Sequence, residues 1–172
     1  MIIEVLNKLM SSQKSWWEGP RGEGYVIIQF ILFALVGLGP KQISGFPLWG
    51  PPWSSIGLGL GLLLGLIGAG LILLGLFNLG PNLTPFPHPR DNNTLVETGA
   101  YGLVRHPIYS GIILGAVGWA CLFASTLTLI YALILFLFFD IKSRQEEKWL
   151  ADKHPQYQAY QKRVRKLLPF IY

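Results

Sequence analysis

Apolar residues in this chain fall in long unbroken runs rather than in the stripes of a water-soluble helix or strand. Residues 24–40, 54–77 and 107–139 contain no Asp, Glu, Lys or Arg. About 20 apolar residues carry a helix across the hydrocarbon of a bilayer. The run 54–77 is long enough for one crossing, and 24–40 becomes so with its amphiphilic flank at 21–24. The run 107–139 is too long for one helix. Ala124, Ser125 and Thr126 divide it, because Ser and Thr are small turn formers. The pattern predicts an all-α polytopic membrane protein with spans near 23–39, 55–77, 107–123 and 126–143. A soluble bundle is excluded, because these runs leave no polar face for water. Ahead of the first span, Ile2, Ile3, Val5, Leu6, Leu9 and Met10 are helically spaced and are followed by Trp16 and Trp17. This predicts an N-terminal interfacial helix rather than a cleaved signal peptide, since no small-residue cleavage site follows. Trp49 and Trp53, set among prolines, read as the aromatic belt at the opposite face.

Composition agrees and adds a direction. Of 172 residues, 51% are hydrophobic and 13% charged, about half the charged share of a soluble domain. The length suits one domain, and the single cysteine, Cys121, excludes an internal disulfide framework. Net charge is +5, and its placement matters more than its size. With four spans and both ends on one side, thirteen of the fourteen basic residues share that side and Lys41 stands alone on the other. The rule that cytoplasmic loops are basic then places both termini in the cytoplasm. The basic excess reports topology and contact with anionic lipid, and no soluble basic module exists to bind nucleic acid.

Several motifs carry no chemistry. Gly57, Gly61 and Gly65 recur every fourth residue and predict close helix packing. The partner is either an internal helix or a second copy, so a homodimer through this face is possible. A nucleotide-binding glycine loop needs a strand before it, which a lipid-spanning helix excludes. His88, His106 and His154 lack metal-ligand spacing, and no metal is expected. The sequons at Asn82 and Asn92 fall in a loop expected to face inward, where glycosylation does not occur. No Asp, Glu, Lys or Arg lies within the apolar runs, and Asp140 follows the last of them, which argues against a proton-coupled transporter.

The polar information gathers in two inner segments flanking the last hairpin, 94–111 and 140–172. A tight hairpin brings its ends together, so Arg105, His106 and Tyr109 are expected near Asp140, Arg144 and Glu147. Pro107 suits the first position of a helix. The free N–H groups of that turn, beside Arg105, would attract a carboxylate or phosphate. Arg144 and Glu147 share a face at i, i+3, and Glu146 points about 100° away. A basic end facing an acidic end suits a zwitterionic ligand, or one with an anionic group and a cationic centre. The plainer reading is Arg bound to lipid headgroups and Glu paired with Lys.

The pattern Leu95-Val96-Glu97-Thr98-Gly99-Ala100-Tyr101, then Arg105-His106-Pro107-Ile108-Tyr109-Ser110-Gly111, then Arg144, Glu146-Glu147, His154-Pro155-Gln156-Tyr157 and Tyr160, resembles the isoprenylcysteine carboxyl methyltransferase and phospholipid methyltransferase superfamily. The resemblance covers roughly residues 80–172 and departs from the family at Lys153-His154-Pro155-Gln156-Tyr157, where Phe-Gly-x-x-Tyr often stands. It implies a single membrane methyltransferase domain over 1–172, with variable spans in 1–80 and a cofactor-binding and catalytic half in 81–172 ending in a helical cytosolic tail. It implies S-adenosyl-L-methionine as cofactor, bound by Tyr101, Arg105, His106, Pro107, Tyr109, Gly111 and Glu146. It implies Arg144 and Glu147 beside the transferring methyl, with Arg144 orienting an anionic acceptor and Glu147 the base if the acceptor needs one. The partner would be a lipophilic or lipid substrate reached from the membrane. Two other readings are a non-catalytic lipid-binding or scaffold protein and a nicotinamide-dependent membrane reductase, the second disfavoured by the short chain.

Overall fold

The computed structural model describes residues 22–89, 92, 94–169 and 171–172. The expected interfacial helix with Trp16 and Trp17 lies outside the described residues. Among the described residues the fold is all-helical, with isolated bridges and no strands. The helices are α1 (Glu23–Leu38), α2 (Trp53–Leu79), α3 (Ala100–Leu103), α4 (Pro107–Leu122), α5 (Thr126–Lys153) and α6 (Tyr157–Arg163). Four of them follow the expected spans. Helices α2 and α5 are long and apolar enough to cross a membrane, whereas α1 and α4 are shorter apolar helices of 16 residues each.

Each boundary has a local cause. Gly39 and Pro40 end α1, and Lys41 Nζ donates to the last-turn carbonyls of Val36 and Gly37, a cation at a helix C-terminus. Helix α4 begins with Pro107 in its first turn, as expected. The turn between α4 and α5 falls at Ala124, which adopts a left-handed φ of 49°. Ser125 caps α5 by accepting from the Thr128 N–H. The α1–α2 connection grips this turn, because Trp49 N–H donates to Ala124 O at 2.8 Å and its indole donates to Thr126 Oγ1 at 2.8 Å. Trp49 is therefore a structural clasp, while Trp53 is exposed. Helix α5 runs ten residues past the span expected from hydropathy, so the charged stretch 140–153 continues the same helix. Beyond it, the tail is helical only in α6 and then follows bends, with one bridge at Arg165 and a turn in which the Ile171 and Tyr172 N–H groups donate to Leu168 O.

Helices α2 and α4 pack antiparallel, backbone on backbone. A Cβ at Gly57, Gly61, Gly68 or Gly75 would lie within 2.8 Å of Cys121, Gly118, Gly111 or Ile108 respectively. This corrects the expected Gly57/Gly61/Gly65 face. Four residues advance a helix about 40° beyond a full turn, so Gly65 rotates off the seam and a Cβ there meets nothing within 4 Å. Seven residues fall only about 20° short of two turns, so Gly61, Gly68 and Gly75 stay aligned. The face is filled by α4 of the same chain, which leaves it unavailable to a second copy. A Gly68→Leu substitution is expected to destabilise the bundle by about 1–3 kcal/mol through overpacking. Gly59→Leu, with nothing within 4 Å, should leave the thermal midpoint in detergent unchanged.

The other side of α4 meets α5, and α5 meets α1, around Leu32, Val36, Ile113, Ala116, Ala132, Leu135, Phe138 and Phe139. The large apolar side chains that face away from this core, such as Phe30, Leu66, Leu73 and Phe77, form a continuous apolar exterior. A surface of that kind marks contact with a membrane.

Candidate functional site

A cavity of about 280 Å³ lies where the N-terminal parts of α1 and α4 and the C-terminal parts of α2 and α5 meet α3, α6 and the loop 82–89. Each element enters it for a local reason. Asn78 Oδ1 accepts the Ala100 N–H at 2.9 Å and fixes the start of α3, which places Tyr101 on the wall. Residues 104–106 are extended and pair with the tail. The N–H groups of Arg105 and His106 donate to the carbonyls of Arg165 and Lys166, at 2.8 and 3.1 Å. From α5 the cavity receives Lys142, Glu146 and Leu150, one face at i, i+4, i+8. From α6 it receives the buried Tyr157 and Tyr160.

The charges are densely interlocked. Glu147 Oε1 accepts from Arg105 Nε at 2.7 Å and lies 3.1 Å from His106 Nε2. Glu147 Oε2 accepts from Gln161 at 3.2 Å. Arg105 Nη1 donates to the carbonyls of Gln161 and Val164 at 3.2 and 2.5 Å. Glu146 Oε2 accepts from the Tyr109 hydroxyl at 2.8 Å and lies 3.8 Å from His106 Nδ1. The His106 imidazole is thus held between the two carboxylates and stacks on Tyr109, which stacks on Phe139. Lys142 is almost fully buried. It donates to Gln29 Oε1 at 2.5 Å and Pro85 O at 2.9 Å, with its ammonium 5.3 Å above the Tyr109 ring. Burial first, with the negative charge of Glu146 or Glu147 added, raises the Tyr101 and Tyr157 hydroxyls well above their ordinary range. Burial does the same for Tyr160. All three remain neutral hydroxyls at physiological pH.

Of the nine residues singled out from the sequence, Tyr101, Arg105, His106, Tyr109 and Glu146 line the cavity. Glu147 lies behind the wall and grips Arg105 and His106. Pro107 is fully buried beneath Gly75 of α2, which also covers the Ile108 N–H expected to attract an anion. Gly111 packs on Gly68. Arg144 stands apart. Its side chain is 63% exposed and reaches Asp140 and the Tyr172 hydroxyl. Two helical residues turn about 200°, so Arg144 and Glu146 face opposite ways. Gln29 and Lys142 carried no expectation. Their signals were an isolated amide within an apolar run and a lysine four residues before Glu146.

This geometry coincides with a family match. Residues 61–152 match the Isoprenylcysteine carboxyl methyltransferase (ICMT) family, more than half of the chain. The chain belongs to the ICMT family. It is 30% identical over 145 residues to the cobalt-zinc-cadmium resistance protein CzcN of Cupriavidus metallidurans, covering 84% of this chain and 61% of that protein. It is 33% identical over 115 residues to a probable protein-S-isoprenylcysteine O-methyltransferase of Oryza sativa subsp. indica, covering 64% and 60%. The structure of the eukaryotic intramembrane Ras methyltransferase ICMT superposes with a TM-score of 0.57 at 20% identity, covering 89% of this chain and 53% of that one. The chain therefore spans about three fifths of the length of these first relatives. ICMT-family membership and two helices long enough to cross the bilayer make this an integral membrane protein. The family match runs from α2 to the end of α5. Tyr157, Tyr160 and the tail lie beyond it, yet they complete the cavity.

Proposed function

We propose that the protein is an S-adenosyl-L-methionine-dependent methyltransferase acting on a lipophilic, membrane-embedded acceptor. In this reading α1, α2, α4 and α5 all cross the bilayer and both termini are cytoplasmic. A helix of 16 residues is about 24 Å long and crosses about 30 Å of hydrocarbon with help from flanking residues and local thinning. The chain works as one unit, because α1 supplies Gln29 and α2 supplies Leu79 to a cavity otherwise built from residues 82–160.

The observation that carries this reading is a cavity at the membrane face lined by two cations, Arg105 and Lys142, one carboxylate, Glu146, and neutral tyrosine rings, with the Glu147 carboxylate directly behind its wall. S-adenosyl-L-methionine, when bound, supplies an electrophilic methyl on a sulfonium that departs as a neutral thioether. The donor set fits it. Glu146 is placed for its amine or hydroxyl groups, and the rings of Tyr101, Tyr157 and Tyr160 for its cationic centre. Glu147 holds Arg105 and His106 in place and is not itself on the wall. Lys142, rather than Arg144, is placed to orient an anionic acceptor. An acceptor already anionic needs no base, so the chain's tasks are alignment and exclusion of water.

An apolar groove of about 480 Å³ extends from the cavity along α4, between α1 and α2, with Ile112 lining both. Phe33, Ala69 and Trp119 form its walls, and Gly65 and Gly115 open its floor. A Cβ at either glycine meets nothing within 4 Å, so helix packing does not require them. Their effect is to leave room for the acceptor's hydrocarbon. Gly115→Leu should lower turnover at least about tenfold while leaving cofactor affinity unchanged, read by methyl incorporation beside calorimetry.

Calorimetry of the purified protein with S-adenosylhomocysteine tests the assignment itself. Absence of binding at millimolar ligand overturns it. Labelled cofactor incubated with native membranes, followed by identification of the labelled lipid, then names the acceptor.

A further inference from the structure

Asp140 and Glu147 are seven residues apart on α5, about two turns, and so share one helical face. Both act on the strap 104–106, but at different points. Glu147 holds the side chains of Arg105 and His106. Asp140 lies outside the cavity and holds the tail that carries the strap's backbone. Asp140 Oδ1 accepts from Lys166 Nζ at 2.6 Å and from the Tyr172 hydroxyl at 2.7 Å. Lys166 Nζ also donates to the Asp140 carbonyl at 3.0 Å, and Lys166 is 6% exposed. The carbonyl of Lys166 accepts the His106 N–H, the carbonyl of the fully buried Leu167 accepts from Ser110 Oγ at 2.6 Å, and Val104 pairs with Arg165. His106 is therefore held at its ring by Glu147, with Glu146 on the other ring nitrogen, and at its backbone, through Lys166, by Asp140.

We infer that Asp140 is a positioning residue for the cofactor site, acting through Lys166 and the tail to set the strap that presents Arg105 and His106. The role in binding rests on the methyltransferase reading; the mechanical link does not. A buried ammonium held by one carboxylate loses its partner when that carboxylate is neutralised, and an unpaired buried charge is strongly unfavourable. The tail is then expected to leave α5 at residue 166, and the strap to lose its order.

The test compares wild type with Asp140→Asn and Asp140→Glu in detergent. It uses S-adenosylhomocysteine calorimetry together with peptide-resolved hydrogen exchange over 104–110 and over the core of α4 at 112–118. Asp140→Asn should weaken binding about tenfold and speed exchange over 104–110 at least about tenfold, with the α4 core unchanged. Asp140→Glu, which keeps the charge, should recover binding to within about threefold of wild type. Binding and strap exchange both within twofold of wild type in Asp140→Asn would overturn the inference. So would equal acceleration across the α4 core, which marks a merely structural residue. If wild type fails to bind while Asp140→Asn still loosens the strap selectively, the methyltransferase reading falls and the link from Asp140 to the strap stands.

Discussion

Arg105→Ala is expected to weaken S-adenosylhomocysteine binding by about 100-fold or more. The guanidinium joins three things: the Glu147 carboxylate, the carbonyls of Gln161 and Val164, and the cavity wall. Alanine leaves Glu147 buried with only His106 and Gln161 as partners. Breaking a buried pair from one side costs about 3–5 kcal/mol, and 1.4 kcal/mol is tenfold in affinity. Part of that penalty will appear as lower stability, so calorimetry must be paired with a thermal midpoint. Arg105→Lys should fall between the two, since an ammonium restores the charge but not the planar fork that reaches Glu147 and the tail together. Wild-type affinity in a folded Arg105→Ala protein would show that the strap does not form the cofactor wall.

The second large effect is expected at Lys142, and it should have the opposite signature. Lys142→Met keeps the length of the side chain and removes its charge. Methyl transfer should fall by about 100–1,000-fold, the range for removing a preorganised electrostatic donor, while S-adenosylhomocysteine affinity stays within about threefold. The distinction follows from placement. Lys142 reaches toward α1 and the loop at Pro85, beside the start of the groove, whereas the Glu146 carboxylate turns to Tyr109 and His106. Arg144→Ala, on the exposed face, should retain most of the turnover. Loss of turnover in Arg144→Ala with none in Lys142→Met would return the acceptor contact to Arg144. Initial rates with labelled cofactor and extracted native lipid measure both.

Placement on α5 is where sequence reading and structure part most instructively. The sequence brought Arg144 and Glu147 together because they share a face, and they do lie on the side of the helix that meets the tail. What it did not supply was which side of α5 the cavity occupies. That side is set by α1, whose Gln29 meets Lys142, and by α4, whose Tyr109 meets Glu146. Both contacts span more than 35 residues of chain. The cavity therefore reads Lys142, Glu146 and Leu150, and the other face holds the tail. The glycine face in α2 shows the same limit. Spacing announced close packing but could not choose the partner, and the drift of a four-residue repeat removed Gly65 from the seam.

By itself the sequence determined the apolar segments and their turns, because hydrophobic run length and Pro, Gly and Ser positions act locally. Hairpin closure also followed from it, and with that closure the expected approach of Arg105, His106 and Tyr109 to Asp140, Arg144 and Glu147. Of these, Glu147 makes the contact with Arg105 and His106, while Asp140 and Arg144 turn to the tail. Tertiary structure alone decided which carboxylate faces the cavity and which is bound behind it. It also decided that Lys142 rather than Arg144 enters the cavity, and that Asp140 holds the strap through Lys166. Those outcomes depend on the rotation of each helix about its own axis. That rotation is set by packing against partners distant in the chain, and no local pattern encodes it.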